Sequence, residues 1–339
     1  MSNRLLDIFL GLCYYAVGCF WASIVVPVVT VYTLLGGKQR VNKFFTKGDH
    51  SKLPEVASCV KVNHDFIQTE SGNKFHYVHL GEKDKPLMII LHGFPDCWYT
   101  WRHMMKQYSD RYYVVLFEMR GYGDSCKPEG INKYHMDYLV NDVAEIIEAL
   151  GYPRATLVAH DWGGAIAWEV PKYFPHLVDK VVIMNAPVFS ALVKCLSQNP
   201  IQFLKSWYIF LFQIPWIPEL LIKSNDYGVL KDTQKNLTSE EVNVFKHCVG
   251  RNITYPINYY RGRNPIYQGL GLPQKCKQVT QPLLLIWGDK DTALDKILVP
   301  YCKEHATNMK VCMVEGATHW VMQDEPDIVY NEMDKFLNI

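Results

Sequence analysis

Asp161 stands between His160 and Trp162-Gly163-Gly164, where a short apolar run at 155–160 meets a helical pattern starting at Ala165. Strand, sharp turn and helix, with small residues crowding the bend, make the geometry that holds one side chain exposed at an apex. Bends of this kind usually carry serine in a G-x-S-x-G pattern, which occurs nowhere in the chain. A carboxylate at the apex changes the chemistry. It is anionic at pH 7 without help from a base, so it can open a strained or activated C–O or carbon–halogen bond directly, leaving an alkyl ester on the protein. Hydrolysing that ester demands a general base for water and hydrogen-bond donors for a tetrahedral oxyanion.

Two further segments offer the base and its support. Asp291 lies in Gly288-Asp289-Lys290-Asp291 and His319 in Gly316-Ala317-Thr318-His319-Trp320, each just past an apolar run, at 283–288 and 311–314. In open parallel sheets the carboxyl ends of the strands gather functional groups at one edge, so Asp161, Asp291 and His319 can converge. His319 is then the group that activates water, and Asp291 the one that fixes its tautomer and steadies the imidazolium. Asp289, two residues earlier, is a rival for that acid. His160 is expected to pack or hydrogen-bond behind the bend.

The elements needed to position these residues are legible. Eight runs read as strands, at 59–64, 74–80, 86–91, 112–117, 155–160, 180–185, 282–288 and 311–314. Those at 86–91 and 112–117 are continuous, as expected of strands covered on both faces. The run at 74–80 alternates and suits a hairpin facing solvent on one side. Helical patterns separate the later runs, so the expectation is an α/β fold, a mostly parallel eight-stranded sheet with helices on both faces. Between 187 and 278 the rhythm gives way to a stretch rich in aromatics and prolines with helical periodicity. It reads as a helical lid inserted between core segments 59–186 and 279–339, with a last helix near 327–336.

Residues 8–37 contain no Asp, Glu, Lys, Arg or His. At 1.5 Å per residue such a helix exceeds a hydrocarbon core of about 30 Å, whereas a signal-peptide apolar region runs about 7–15 residues. No A-x-A-like cleavage site follows, so 1–37 reads as a transmembrane anchor spanning about 8–35, with Pro27 placed to kink it. Residues 38–58 read as a linker that lifts the catalytic domain off the bilayer. Lys38, Arg40, Lys43 and Lys47 follow the span, while Arg4 and Asp7 nearly cancel before it. That asymmetry implies a single-pass protein, expected in the endoplasmic reticulum, with its catalytic domain in the cytosol. Glycosylation sequons at Asn236 and Asn252 point the other way, to the lumen. The net charge of +1, from 35 basic and 34 acidic residues, leaves no footprint for nucleic acid. Ten cysteines without a C-x-x-C pair suggest neither a zinc site nor a disulfide framework.

Taken together, His92-Gly93-Phe94-Pro95, Arg120-Gly121-Tyr122-Gly123, His160-Asp161-Trp162-Gly163-Gly164, Asp291 and Gly316-x-x-His319 resemble the epoxide hydrolase branch of the α/β-hydrolase superfamily, in particular its membrane-anchored members. The resemblance covers about residues 60 to 335. The chain order of nucleophile, acid and histidine is the one this topology demands, and its oxyanion donors fall on the backbone N–H groups of Phe94 and Trp162. Pro95 cannot donate, but its ring can hold the loop so that the Phe94 N–H points inward. The family's two lid tyrosines, which donate to the epoxide oxygen, fall on Tyr208 and on Tyr260 in Asn258-Tyr259-Tyr260-Arg261. Tyr227, Tyr255, Tyr259 and Tyr267 also lie in the lid and serve as packing in this assignment. Glu118 departs from the aspartate of many relatives, away from the chemistry. The resemblance implies an epoxide as substrate, and an anchor beside the bilayer, its partner through the N-terminal helix, suits a lipophilic one such as a lipid epoxide; no metal or organic cofactor is implied. A haloalkane-type dehalogenase with the same Asp nucleophile, or a non-catalytic membrane protein retaining the fold, are the alternatives.

Overall fold

The computed structural model describes residues 2–233 and 237–338. An eight-stranded sheet runs through the centre in the order β1-β2-β4-β3-β5-β6-β7-β8. Its strands are β1 (Asn63–Gln68), β2 (Lys74–Leu80), β3 (Leu87–Leu91), β4 (Tyr113–Phe117), β5 (Ala155–His160), β6 (Val178–Met184), β7 (Leu283–Gly288) and β8 (Met309–Val314). β1 and β2 pair antiparallel, as do β2 and β4; every other neighbour is parallel. Strands β3, β4, β5 and β7 are buried at every residue, which is why they read as unbroken apolar runs.

Helices α1 (Ser2–Leu35), α2 (Gly37–Phe44) and α3 (Glu55–Ser58) precede the sheet. Within it come α4 (Arg102–Tyr108), α5 (Met136–Ala149) and α6 (Asp161–Tyr173). The lid inserted between β6 and β7 holds α7 (Phe189–Gln198), α8 (Pro200–Lys205), α9 (Trp207–Leu211), α10 (Ile217–Thr233), α11 (Ser239–Gly250) and α12 (Thr254–Arg261). Helices α13 (Leu298–Cys302), α14 (Val321–Asp324) and α15 (Pro326–Leu337) complete the core.

Two details of the first hairpin differ from the sequence expectation. The strand expected over residues 59–64 begins four residues later, because Glu55–Ser58 forms a helical turn and the Val60 N–H donates to the Ala57 carbonyl. β2 is also not a half-solvated alternating strand. Lying between β1 and β4, it is buried from Phe75 to Val78, and the exposed edge falls to β1.

α1 contains 32 residues, Arg4–Leu35, that are long and apolar enough to cross a membrane. It does not stand clear of the domain. From Gly11 to Trp21 it lies on the lid: the Asn264 side-chain amide donates to the Gly11 carbonyl at 3.3 Å, the Tyr15 and Tyr267 hydroxyls meet at 3.3 Å, and the rings of Tyr14 and Phe210 are 5.5 Å apart. Gly18 sits so close to the Phe210 carbonyl that a Cβ could be fitted only by movement of that backbone. The segment expected to act as a spacer is likewise clasped to the lid. Asp226, in a left-handed break in α10, accepts from the Gly48 N–H at 2.7 Å, His50 at 2.6 Å and Lys246 at 2.7 Å. These contacts hold the catalytic domain against α1, so the linker does not lift it away. The Asn252 sequon is exposed at the turn between α11 and α12, and Asn236 lies outside the described residues.

Candidate active site

The carboxyl ends of β5, β7 and β8 deliver the three residues read as the hydrolytic set. Asp161 follows β5 with a φ of +50°, a conformation aspartate tolerates at a strained bend. The bend needs its glycines: a Cβ on Gly163 would run into the Leu91 carbonyl, and one on Gly93 would stand 2.6 Å from the Asp161 Cβ. Asp291 Oδ2 accepts from His319 Nδ1 at 2.7 Å, and His319 Nε2 faces Asp161 Oδ2 at 3.5 Å. Asp289 is not the third member. It accepts the Gly316 N–H at 2.7 Å and faces Lys290 and Lys296, steadying the loop from outside.

A backbone donor meets the carboxylate as well. The Phe94 N–H donates to Asp161 Oδ1 at 2.7 Å, next to a cis Phe94–Pro95 peptide. Burial acts to raise the pKa of Asp161, yet the hydrogen bond and charge of His319, with the Phe94 N–H, hold it below the usual carboxylate value. Burial acts to lower that of His319, but the carboxylates of Asp291 and Asp161 outweigh it and raise the imidazole to about 10. The two carboxylates thus favour the protonated form of the ring between them.

His160 takes the opposite state beside it. The two rings lie 4.6 Å apart, His160 Nε2 donates to the His319 carbonyl at 2.8 Å, and burial followed by the His319 charge depresses the pKa of His160 to about 3. It supports the His319 loop as a neutral ring.

Tyr208 in α9 and Tyr260 in α12 reach down from the lid, their ring centroids 5.9 Å apart. Tyr260 is wedged edge-on among Phe94, Trp162 and Phe212, at 5.5, 5.0 and 4.9 Å, and Gln213 fixes its carbonyl at 3.1 Å. Burial, and then the Asp161 charge, push both phenols well above their usual pKa, so they stay protonated donors. The other lid tyrosines are spent elsewhere: Tyr259 donates to the Arg120 carbonyl, Tyr255 to Glu129 and Tyr227 to the Gly250 carbonyl.

Asp161, Tyr208 and Tyr260 sit at the junction of two cavities. The wider, about 740 Å³, runs past His319 to apolar lid residues Leu211, Pro218, Leu221 and Ile222. The narrower, about 70 Å³, runs the other way to Phe189, Arg263 and Tyr14 of α1. Sequence reasoning missed Asn185, whose amide donates to Asp291 Oδ2 at 2.8 Å while its oxygen accepts the Gly288 N–H at 3.0 Å. Its place directly after β6, at the same sheet edge, was the available signal. Nothing in the sequence marked Tyr14 or Arg263. Among the described residues no group of three or more His, Cys, Asp or Glu side chains is arranged to hold a metal ion.

Residues 86–326 match the family model described as alpha/beta hydrolase fold. Human epoxide hydrolase 4 is 36% identical over 282 residues, covering 79% of this chain and 76% of that protein. Epoxide hydrolase 3 of Mus musculus is 36% identical over 303 residues, 86% of this chain and 80% of that one. Among solved structures, an inhibitor complex of the epoxide hydrolase of Bacillus megaterium superimposes with a TM-score of 0.74 at 29% identity, over 81% of this chain and all of that one. With that likeness extending over most of its length, the chain belongs to the epoxide hydrolase family of the α/β-hydrolase fold.

Proposed function

We propose that this protein hydrolyses a lipophilic epoxide to a vicinal diol through an ester on Asp161. One observation carries the reading: a carboxylate, an imidazole and two phenols open on the same largely apolar cavity. Asp161 Oδ2 attacks a ring carbon, the C–O bond breaks, and Tyr260 and Tyr208 donate to the leaving oxygen, which departs as a hydroxyl. His319 Nε2 then takes a proton from water as the water oxygen bonds to the ester carbonyl carbon. The Phe94 and Trp162 N–H groups receive the oxyanion, Asp291 steadies the imidazolium, and collapse returns the Asp161 carboxylate and releases the diol.

The raised pKa of resting His319 fits this sequence. Esterification converts Asp161 from an anion into a neutral group, removing one of the two charges that hold the proton on the ring, and the proton the ring then releases replaces the one the phenols gave to the leaving oxygen. The first step therefore prepares the base for the second. Single-turnover reaction in heavy-oxygen water tests the scheme: the first diol takes its new oxygen from Asp161, unlabelled. A labelled first diol means direct attack by water and ends the proposal.

The same reading places α1 in a membrane, with the basic residues of α2 keeping the catalytic domain cytosolic. The stretches of α1 on either side of the lid contacts, residues 2–10 and 22–35, make about 14 and 21 Å of helix, each short of a hydrocarbon core of about 30 Å. A single pass then requires the lid face beside α1 to sit in the bilayer. Exposed Ile201, Leu204, Trp207, Trp216 and Leu220 supply the apolar and interfacial surface for that. In cells, the Asn252 sequon should stay unglycosylated and the protein should resist alkaline extraction; glycosylated Asn252 reverses the orientation.

A further inference from the structure

Arg263, half-buried, makes a contrast with the two buried arginines. Arg120 grips both oxygens of Asp142, at 2.6 and 2.5 Å. Arg261 grips both oxygens of Glu219, at 2.7 and 3.1 Å, and donates to the Phe212 and Ile214 carbonyls. Arg263, two residues on, has neither kind of partner among the described residues. Its Nε is sealed from solvent without an acceptor, and its guanidinium lies over the Phe189 ring at 3.7 Å. The acids whose fields reach it are committed elsewhere, Glu169 to Lys172 at 3.0 Å and Asp137 to the Gly271 N–H at 2.8 Å. The Arg263 side chain is half-buried; a guanidinium stays charged, and one whose sealed Nε lacks an acceptor gains from an anionic partner. This one lines the narrow cavity that also contains Asp161, Tyr208 and Tyr260.

We propose that Arg263 binds an anionic group at one end of the substrate, a carboxylate on an epoxide-bearing acyl chain, with Phe189 beneath it and Tyr14 of α1 as the neighbouring wall. The inference rests on the epoxide reading above and adds the polarity of the ligand. The chain runs from Arg263 past Asp161, where the epoxide lies against the phenols, and its apolar remainder occupies the wide cavity along Leu211, Leu221 and Ile222. A guanidinium pairs with a charged carboxylate, and the acyl carboxyl within a phospholipid is an uncharged ester, so the ligand is the free acid and not the acyl chain within a phospholipid.

The test uses the full chain in phosphatidylcholine vesicles with three forms of one mid-chain fatty-acyl epoxide: the free acid, its methyl ester, and the same chain esterified in phosphatidylcholine. The wild type should favour acid over methyl ester about tenfold or more in kcat/KM, through KM, with the phospholipid poorest. Arg263→Gln should bring the acid-to-ester ratio near one, and Arg263→Lys should restore part of it. A wild-type ratio near one, an unchanged ratio in Arg263→Gln, or a preference for the phospholipid overturns the assignment. The wild-type ratio decides even where a variant does not fold. Turnover of the ester with no preference for the acid sinks the Arg263 proposal alone, whereas no diol from any form sinks the epoxide reading beneath it.

Discussion

The sheet edge and the lid meet across one cavity but are built on different principles. At the edge, Asp161, Asp291 and His319 each follow a strand whose register is set by its neighbours, and each is tied by short hydrogen bonds to backbone or to one another. In the lid, Tyr208 and Tyr260 sit on short helices positioned by edge-to-face aromatic packing, with Gln213 as a polar strut. Charge is fixed at the sheet edge, and neutral donors are supplied from the packed helices above it. The edge is thus suited to bond making, and the lid to choosing what is brought there and taking up the departing oxygen.

That division predicts a ranking. Asp161→Ala removes the atom that forms the ester and should cost on the order of 10⁴-fold or more in kcat, read as diol formed by purified protein. His319→Gln should be nearly as inactive in turnover, on the order of 10³-fold, but in a distinct way. It should still form the ester, so the intact protein gains the mass of one substrate and stalls. A His319→Gln protein that shows no adduct and no turnover breaks the two-step scheme at the edge.

Lid variants should be milder. Tyr260→Phe and Tyr208→Phe should each lower the rate of ester formation by about 10- to 100-fold, and the double variant by more than either, because each phenol partly covers for the other. Ester hydrolysis, measured after rapid mixing, should change little in either. If a phenol variant slows hydrolysis more than ring opening, the lid and the edge do not divide the work in this way.

The same contrast explains what was legible in the sequence. Asp161, Asp291 and His319 could be placed because the end of a buried parallel strand is a topological address that survives without coordinates. The bend around Asp161 was equally plain, since only small residues tolerate its close backbone approach. Tyr208 and Tyr260 came from family resemblance alone. In a lid with many aromatics, packing and chemistry use the same side chains, and Tyr259, adjacent to Tyr260, is buried for a wholly different purpose. Arg263 was invisible because its distinguishing property is the lack of a partner that Arg261 has. The docking of α1 on the lid was missed for a related reason: a helix apolar on every face carries no stripe to show which side meets protein.

The smallest effect to test concerns the two histidines, because they share a burial that pushes both toward neutrality. Only His319 resists it, raised to about 10 by Asp291 and Asp161, while His160 falls to about 3. A folded-state pKa above the unfolded value of about 6.5 gives His319 a stabilising contribution that is complete below that pH and lost as pH rises through about 10. For His160 the sign is reversed: its neutral state contributes above about 6.5, and that contribution is lost as pH falls toward 3. The Tm advantage of wild type over His319→Gln should therefore shrink between pH 7 and about 10, whereas the advantage over His160→Gln should shrink on acidification instead. If the His319→Gln gap stays constant across the alkaline range, His319 is already neutral at pH 7. Its two carboxylate neighbours would then not be acting as the charge clamp that ester formation is held to release.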